Sequence, residues 1–212
     1  NLIKVKKCWE ELGQVIDVNN EVTPVTYINS AADLKAFCGE HEGIVCTSSN
    51  AKKILEWSFA NRPKVLFFPD QHLGRNTGYR MGIPLEQLCL WDFNKPMGGL
   101  TEAQVINAKV FLWGGFCSVH QMFKPEQIDN FLAKYPETKV IAHPEAPFEV
   151  CQKAEYIGST TSILKTIREA EPNTRWLVAT ELNLVNRLHE ECKKDGKNIH
   201  FMSPTLCMCS TM

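Results

Sequence analysis

The chain has 212 residues, 44% of them hydrophobic and 22% charged, with 12 Gly and 11 Pro. That composition excludes disorder, collagen and coiled coil and fits one large or two smaller globular domains. Lys and Arg number 23 against 24 Asp and Glu, a formal net charge of -1, so nothing in the charge balance marks a surface for nucleic acid or an acidic membrane. No run reaches the ~18 apolar residues of a spanning helix, so no membrane segment is expected.

Nine cysteines do not read as a secreted disulfide framework, which normally has an even count in a short chain. Free thiols in a reducing compartment fit better, and some of them become candidates for metal or iron–sulfur ligation.

In chain order the sequence repeats one unit: a short apolar run, a cluster of small or polar residues, then an amphipathic helical stretch. The segment 23–30 leads into AADLKAFCGE, with Ser30 as candidate N-cap and Asp33 in the first turn. The run 43–46 passes through Thr47-Ser48-Ser49-Asn50 into AKKILEWSFA, and 64–68 runs into PDQHLGRN. The segment 93–104, FNKPMGGLTEAQ, reads as an exposed loop; the run 109–113 then enters GGFCSVH. The second half follows the same plan, with runs at 138–142, 155–157 and 175–179, each followed by polar residues and a helical stretch.

These are βα units, and continuous apolar strands predict parallel sheets covered on both faces, an α/β fold of small three-layer αβα domains. The two halves, 1–116 and 117–212, read as copies of one such domain. In open α/β sheets ligands bind at the carboxyl ends of the strands, which is where the polar clusters fall. GGL and GGF match neither the G-x-G-x-x-G nor the Walker spacing, so a dinucleotide fold has no support.

Cys117 follows two glycines at an expected strand end and begins a helical stretch containing His120, a setting that favours a thiolate. Cys207 and Cys209 form a C-x-C pair in a polar, turn-like tail, a weak metal signal by itself. Cys8, Cys38, Cys89, Cys151 and Cys192 lie among apolar neighbours and read as packed thiols. His143-Pro144-Glu145 sets an imidazole and a carboxylate on one side of a strand terminus; the alternative is a surface ion pair. Ser48-Ser49 and Ser159-Thr160 stand where hydroxyls cap helices or grip an anion. His72 and Arg75 are anion-binding candidates whose ordinary reading is a solvated loop.

Taken together, YINS, CTSSNA, FFPDQHLGRN, LWGGFCSVHQMF, AHPE, GSTTSI, ATE and CSTM resemble quinolinate synthase, the iron–sulfur enzyme of NAD biosynthesis, in the same order and over nearly the whole chain. The resemblance implies condensation of iminoaspartate with dihydroxyacetone phosphate to quinolinate, phosphate and water. It also implies three αβα domains about a pseudo-threefold axis, each giving one Cys to a central [4Fe–4S] cluster with one open iron position that acts as a Lewis acid. Matched residue by residue, the second-domain ligand falls on Cys117 and the third-domain ligand on Cys209, with Cys207 as the alternative. Tyr27 and Asn29 match pocket residues, Ser48 and Thr160 match hydroxyls that bind carboxylate and phosphate, and His143 and Glu145 match the catalytic pair, with Glu145 moving protons. Cys46 reads as structural.

The resemblance further implies that 1–116 and 117–212 are the second and third domains, and that the first domain, with the third cysteine ligand, is expected upstream of Asn1. A C-terminal tail is also expected to be missing. Cytoplasmic location is implied, with plastid as alternative, and L-aspartate oxidase or dehydrogenase is the expected supplier of iminoaspartate. The competing reading is a truncated, non-catalytic paralogue that binds metal through Cys117, Cys207 and Cys209.

Overall fold

Alternation along single strands decides the architecture. Leu66 and Phe68 join one apolar cluster while Val65 and Phe67 join another, so successive residues of one strand feed opposite faces of the sheet. The same holds at 140–142, where Val140 and Ala142 enter one core and Ile141 the other. A strand with both faces buried needs helices above and below it, which gives the three-layer arrangement.

The computed structural model describes residues 2–203 and divides into two units, Asn1–Phe116 and Cys117–Met212. In the first, α1 (Leu2–Leu12) and α2 (Val18–Glu21) precede β1 (Val22–Tyr27), α3 (Ala32–Glu40), β2 (Ile44–Cys46), α4 (Ala51–Asn61) and β3 (Lys64–Phe68). Then come α5 (Gln71–Arg80), β4 (Leu88–Trp91), α6 (Glu102–Asn107) and β5 (Val110–Trp113). The second unit has α7 (Ser118–Gln121), α8 (Pro125–Lys134), β6 (Lys139–Ala142), α9 (Phe148–Lys153) and β7 (Tyr156–Ile157). It continues with α10 (Thr160–Glu169), β8 (Arg175–Ala179), α11 (Leu182–Cys192) and β9 (Asn198–Phe201).

All pairings of named strands are parallel, in the orders β2-β1-β3-β5-β4 and β7-β6-β8-β9. Fold class and parallel sheets are as expected from the sequence. Among the described residues no helix is long and apolar enough to cross a membrane.

Three local expectations change. Strands β4 and β9 were not legible, because each is a four-residue edge strand whose run is too short to show a period. The N-cap of α3 is Ala31, without a side-chain cap bond. The Ser30 hydroxyl instead accepts from Thr26 Oγ1 at 2.9 Å. PDQHLGRN is a helix rather than a solvated loop: Asp70 caps α5 by accepting from Leu73 N at 2.7 Å, and His72 is buried.

Gly74 shows how closely α5 lies on its sheet. A Cβ there would stand 2.6 Å from Leu112 Cδ2 and 2.8 Å from Phe67 Cδ1. Ala is the better helix former by ~1 kcal/mol, but overpacking costs about 1–3 kcal/mol. Gly74→Ala is therefore expected to lower the urea midpoint, by about 1–2 kcal/mol of stability; a raised midpoint would show that the helix can move away.

Candidate functional site

Among the described residues, the sequence-predicted ones lie at or beyond strand ends, and they fall into one group in each unit. In the first unit Tyr27 is the last residue of β1 and is buried, while Asn29, two positions on, is exposed. Ser48 follows β2, which pairs with β1. It does not cap α4: the N-cap is Asn50, whose Oδ1 accepts from Thr47 N at 2.7 Å and closes the loop that carries Ser48. The three residues therefore share the carboxyl edge of two adjacent strands.

In the second unit the helix expected to be capped by the Ser159-Thr160 pair is capped by Ser159, whose Oγ accepts from Ser162 N at 3.3 Å. Thr160 is the first residue of α10 and is exposed.

The densest chemistry is a buried cluster in the second unit. His143 leaves the end of β6 with its N–H donated to Ala179 O of β8 at 2.9 Å, and its own carbonyl accepts from Ala146 N at 2.9 Å. That turn returns Glu145 to His143: Glu145 Oε2 lies 3.3 Å from His143 Nδ1. The Cys151 thiol, on α9, sits 3.7 Å from the carbonyl oxygens of both His143 and Ala146, holding the turn from below.

His120, on α7, stacks on His143 with ring centroids 4.7 Å apart and planes at 17°. Its Nδ1 is 3.8 Å from Glu145 Oε2. His120, His143 and Glu145 are exposed by only 7%, 3% and 6%, so a carboxyl group and two imidazoles share one nearly dry pocket.

Electrostatics fix how the pair works. Burial pushes the His143 imidazole down to about 4, so the ring is neutral at neutral pH and its contact with Glu145 is no ion pair. The Glu145 amide N–H also points at Nδ1, at 3.3 Å. With that amide donating, Nδ1 is the acceptor and the ring proton sits on Nε2, leaving Glu145 Oε2 beside a neutral imidazole. A carboxyl group and a neutral imidazole this close are groups that general acid–base chemistry can use.

Cys117 is the N-cap residue of α7. Its thiol, one imidazole nitrogen of His120 and one carboxylate oxygen of Glu145 lie within 4.8 Å of one another, a donor set able to hold a metal ion. The other six described cysteines, Cys8, Cys38, Cys46, Cys89, Cys151 and Cys192, are buried, and Cys117 alone among the described seven is partly open. Burial raises the thiols of Cys8, Cys89 and Cys192 and takes Cys38 up to about 12, which disfavours the thiolate that ligation requires. Cys207 and Cys209 lie outside the described residues.

His120 was quoted in the sequence but not assigned to the site. The usable signal was its i, i+3 spacing from Cys117, which puts both on one side of a single helical turn.

One consequence is directly measurable. An unfolded His143 has its ordinary value of 6.5, and the folded ring titrates near 4. Between those values the unfolded state binds the extra proton, so stability falls as pH drops from 6.5 towards 4. Histidine-ring NMR is expected to show His143 neutral through that window, and His143→Asn to flatten that part of the stability profile. A His143 ring that titrates near 6.5 in the folded protein would contradict the buried setting.

The family model described as Quinolinate synthetase A protein matches residues 2–212. A quinolinate synthase of Rhodopirellula baltica is 51% identical over 212 residues, covering 100% of this chain and 53% of that protein. Quinolinate synthases of Corynebacterium glutamicum and Acidobacterium capsulatum are 50% and 48% identical, over 100% and 99% of this chain and 53% and 56% of theirs. The chain spans about half the length of the curated relatives it matches. A match over nearly every residue establishes the affiliation: the chain belongs to the quinolinate synthetase A family.

Proposed function

We propose that this chain provides part of the active site of a quinolinate synthase, condensing iminoaspartate with dihydroxyacetone phosphate to quinolinate, phosphate and water. Family membership supports the reading. The observation that carries it is the buried Glu145–His143 pair beside Cys117, beyond the end of β6.

The residues present fit the iron–sulfur cluster that this reaction class calls for. Cys117 is the partly open thiol among six buried ones in the described residues, and it would hold one corner. Cys209, with Cys207 as its alternative, would hold another. Bound there with three cysteine ligands, the [4Fe–4S] cluster supplies an iron with an open position, a Lewis acid for loss of water.

The chain's own residues do the rest. Glu145 moves protons during enolisation, cyclisation and dehydration, assisted by the His143 ring 3.3 Å away. Thr160, in the first turn of α10, meets an anionic group where backbone N–H groups point outward. Ser48 and Asn29, with Tyr27, position the dicarboxylate at the edge of β1 and β2. The 1–116 and 117–212 units correspond in this reading to the second and third of three related domains.

Iminoaspartate is an imine that water hydrolyses, so L-aspartate oxidase or an aspartate dehydrogenase acting alongside is the fitting supplier, with the cytoplasm as the setting.

Two variants of the complete protein test the assignment. Cys117→Ser is expected to abolish both the brown visible absorption of the cluster and quinolinate formation. Glu145→Gln is expected to keep the absorption and lose about 10²- to 10⁴-fold in turnover. A colourless yet fully active Cys117→Ser protein, or an unimpaired Glu145→Gln protein, would overturn the reading.

A further inference from the structure

We propose that Ser30 is a positioning residue for the dicarboxylate subsite: its hydroxyl, tied to the Thr26 side chain, fixes the bend that presents Tyr27 and Asn29. The inference deepens the quinolinate synthase reading and rests on the part of it that gives Tyr27 and Asn29 the dicarboxylate.

Thr26 is the anchor. It lies in β1 with a strand on each side, level with Val45 of β2 and Phe68 of β3, and it is fully buried. A hydroxyl in that setting needs a partner, and it donates to Ser30 Oγ at 2.9 Å. The bond closes the intervening stretch, Tyr27-Ile28-Asn29, into a short loop. A second tie holds the same stretch from the side. Ile28 N–H donates to Cys46 O at 2.8 Å, which carries the pairing of β1 with β2 one residue past Tyr27. Tyr27 is therefore buried and fixed, whereas Asn29 is exposed and stands between two held points, Ile28 and Ser30.

Ser30 gives up a competing role to make this bond. It precedes Ala31, the N-cap of α3, which has no side-chain cap bond, and a serine turned forward onto that helix would stabilise it. The loop after β2 shows the same choice. Asn50 is the N-cap of α4 without a side-chain cap bond. Its Oδ1 accepts instead from Thr47 N at 2.7 Å and from Thr47 Oγ1 at 3.1 Å, closing the turn that carries Ser48. At other strand-to-helix junctions Asp70, Ser159 and Glu181 do cap the helices that follow. The two loops that bear the dicarboxylate residues are thus the ones whose serine and asparagine face back into the loop.

A pocket residue held in its binding direction before the ligand arrives loses less freedom on binding. Breaking the tie lets the bend relax, so affinity for the dicarboxylate falls while proton transfer at Glu145 is untouched. Loss of binding shared by ground and transition states raises KM and leaves kcat nearly constant.

The test uses the complete protein reconstituted with iron and sulfide without oxygen. Iminoaspartate is generated from oxaloacetate and ammonia, and quinolinate serves as a stable dicarboxylate for calorimetry. Ser30→Ala and Thr26→Val are each expected to raise the iminoaspartate KM and the quinolinate Kd by about three- to tenfold, the effect of one net hydrogen bond. In both, kcat is expected to stay within about twofold of wild type. The double variant is expected to match the single ones, because both remove the same bond. Ser30→Thr, which keeps the hydroxyl, is expected to recover near wild-type constants.

Wild-type constants in Ser30→Ala, additive effects in the double variant, or no recovery in a folded Ser30→Thr protein would overturn the proposal. A lowered melting midpoint with unchanged KM would do so too, by marking the bond as structural only. If Thr26→Val fails to fold, the half-buried Ser30 decides alone through Ser30→Ala and Ser30→Thr. Asn29→Ala separates the proposal from the reading beneath it. Wild-type quinolinate affinity in Asn29→Ala removes the dicarboxylate from this edge and the proposal with it, whereas lost affinity there beside wild-type affinity in Ser30→Ala removes the positioning role alone.

Discussion

A parallel strand covered on both faces admits a polar side chain only where it finds a partner, as Thr26 does on Ser30 and Lys64 on the Ala108 carbonyl, and most of the site follows from that restriction. Val65, Leu66, Phe67 and Phe68 are all fully buried, two to each face of one sheet. In the second unit Val140, Ile141 and Ala142 divide the same way. Polar chemistry is pushed to the points where the strands stop. There the chain must turn, its backbone groups need partners, and the helices that follow start with outward-pointing N–H groups. Tyr27, Ser48, His143 and Thr160 all lie at or just beyond such a stop.

The second consequence is electrostatic. A residue placed just past a strand end can still sit under the surrounding loops, and His143 does. Its ring lies in a pocket too dry for charge, so it stands beside Glu145 as a neutral imidazole. The same dryness sharpens the contrast among the thiols. Cys38 is held as a thiol by its surroundings, whereas Cys117 is partly open and has a histidine and a carboxylate close by.

Much of the architecture was legible because apolar runs of four or five residues, each ended by hydroxyl or amide residues, leave few options other than βα units. What escaped was decided by neighbours rather than by local pattern. The strands β4 and β9 are recognisable only beside β5 and β8. Ser30 has the right side chain to cap α3, yet Thr26 engages its hydroxyl first. Asp70 was read within a loop because PDQHLGRN is so polar, but burial of His72, Leu73 and Gly74 against the sheet makes it a helix. In the candidate site the resemblance pointed to Cys117, His143 and Glu145 as separate motifs. That His120 stacks on His143 could not be read from residues 23 positions apart in sequence.

The buried thiols carry one more implication. Six of the seven described cysteines occupy volume in the cores, where a sulfhydryl behaves as a small apolar group with a weak donor. Oxidants and electrophiles attack thiolates that they can reach, so all six are shielded by access, and Cys8, Cys38, Cys89 and Cys192 also by a raised thiol pKa. Among the described residues the cysteine content is therefore a statement about packing, with Cys117 alone partly open to reactive chemistry.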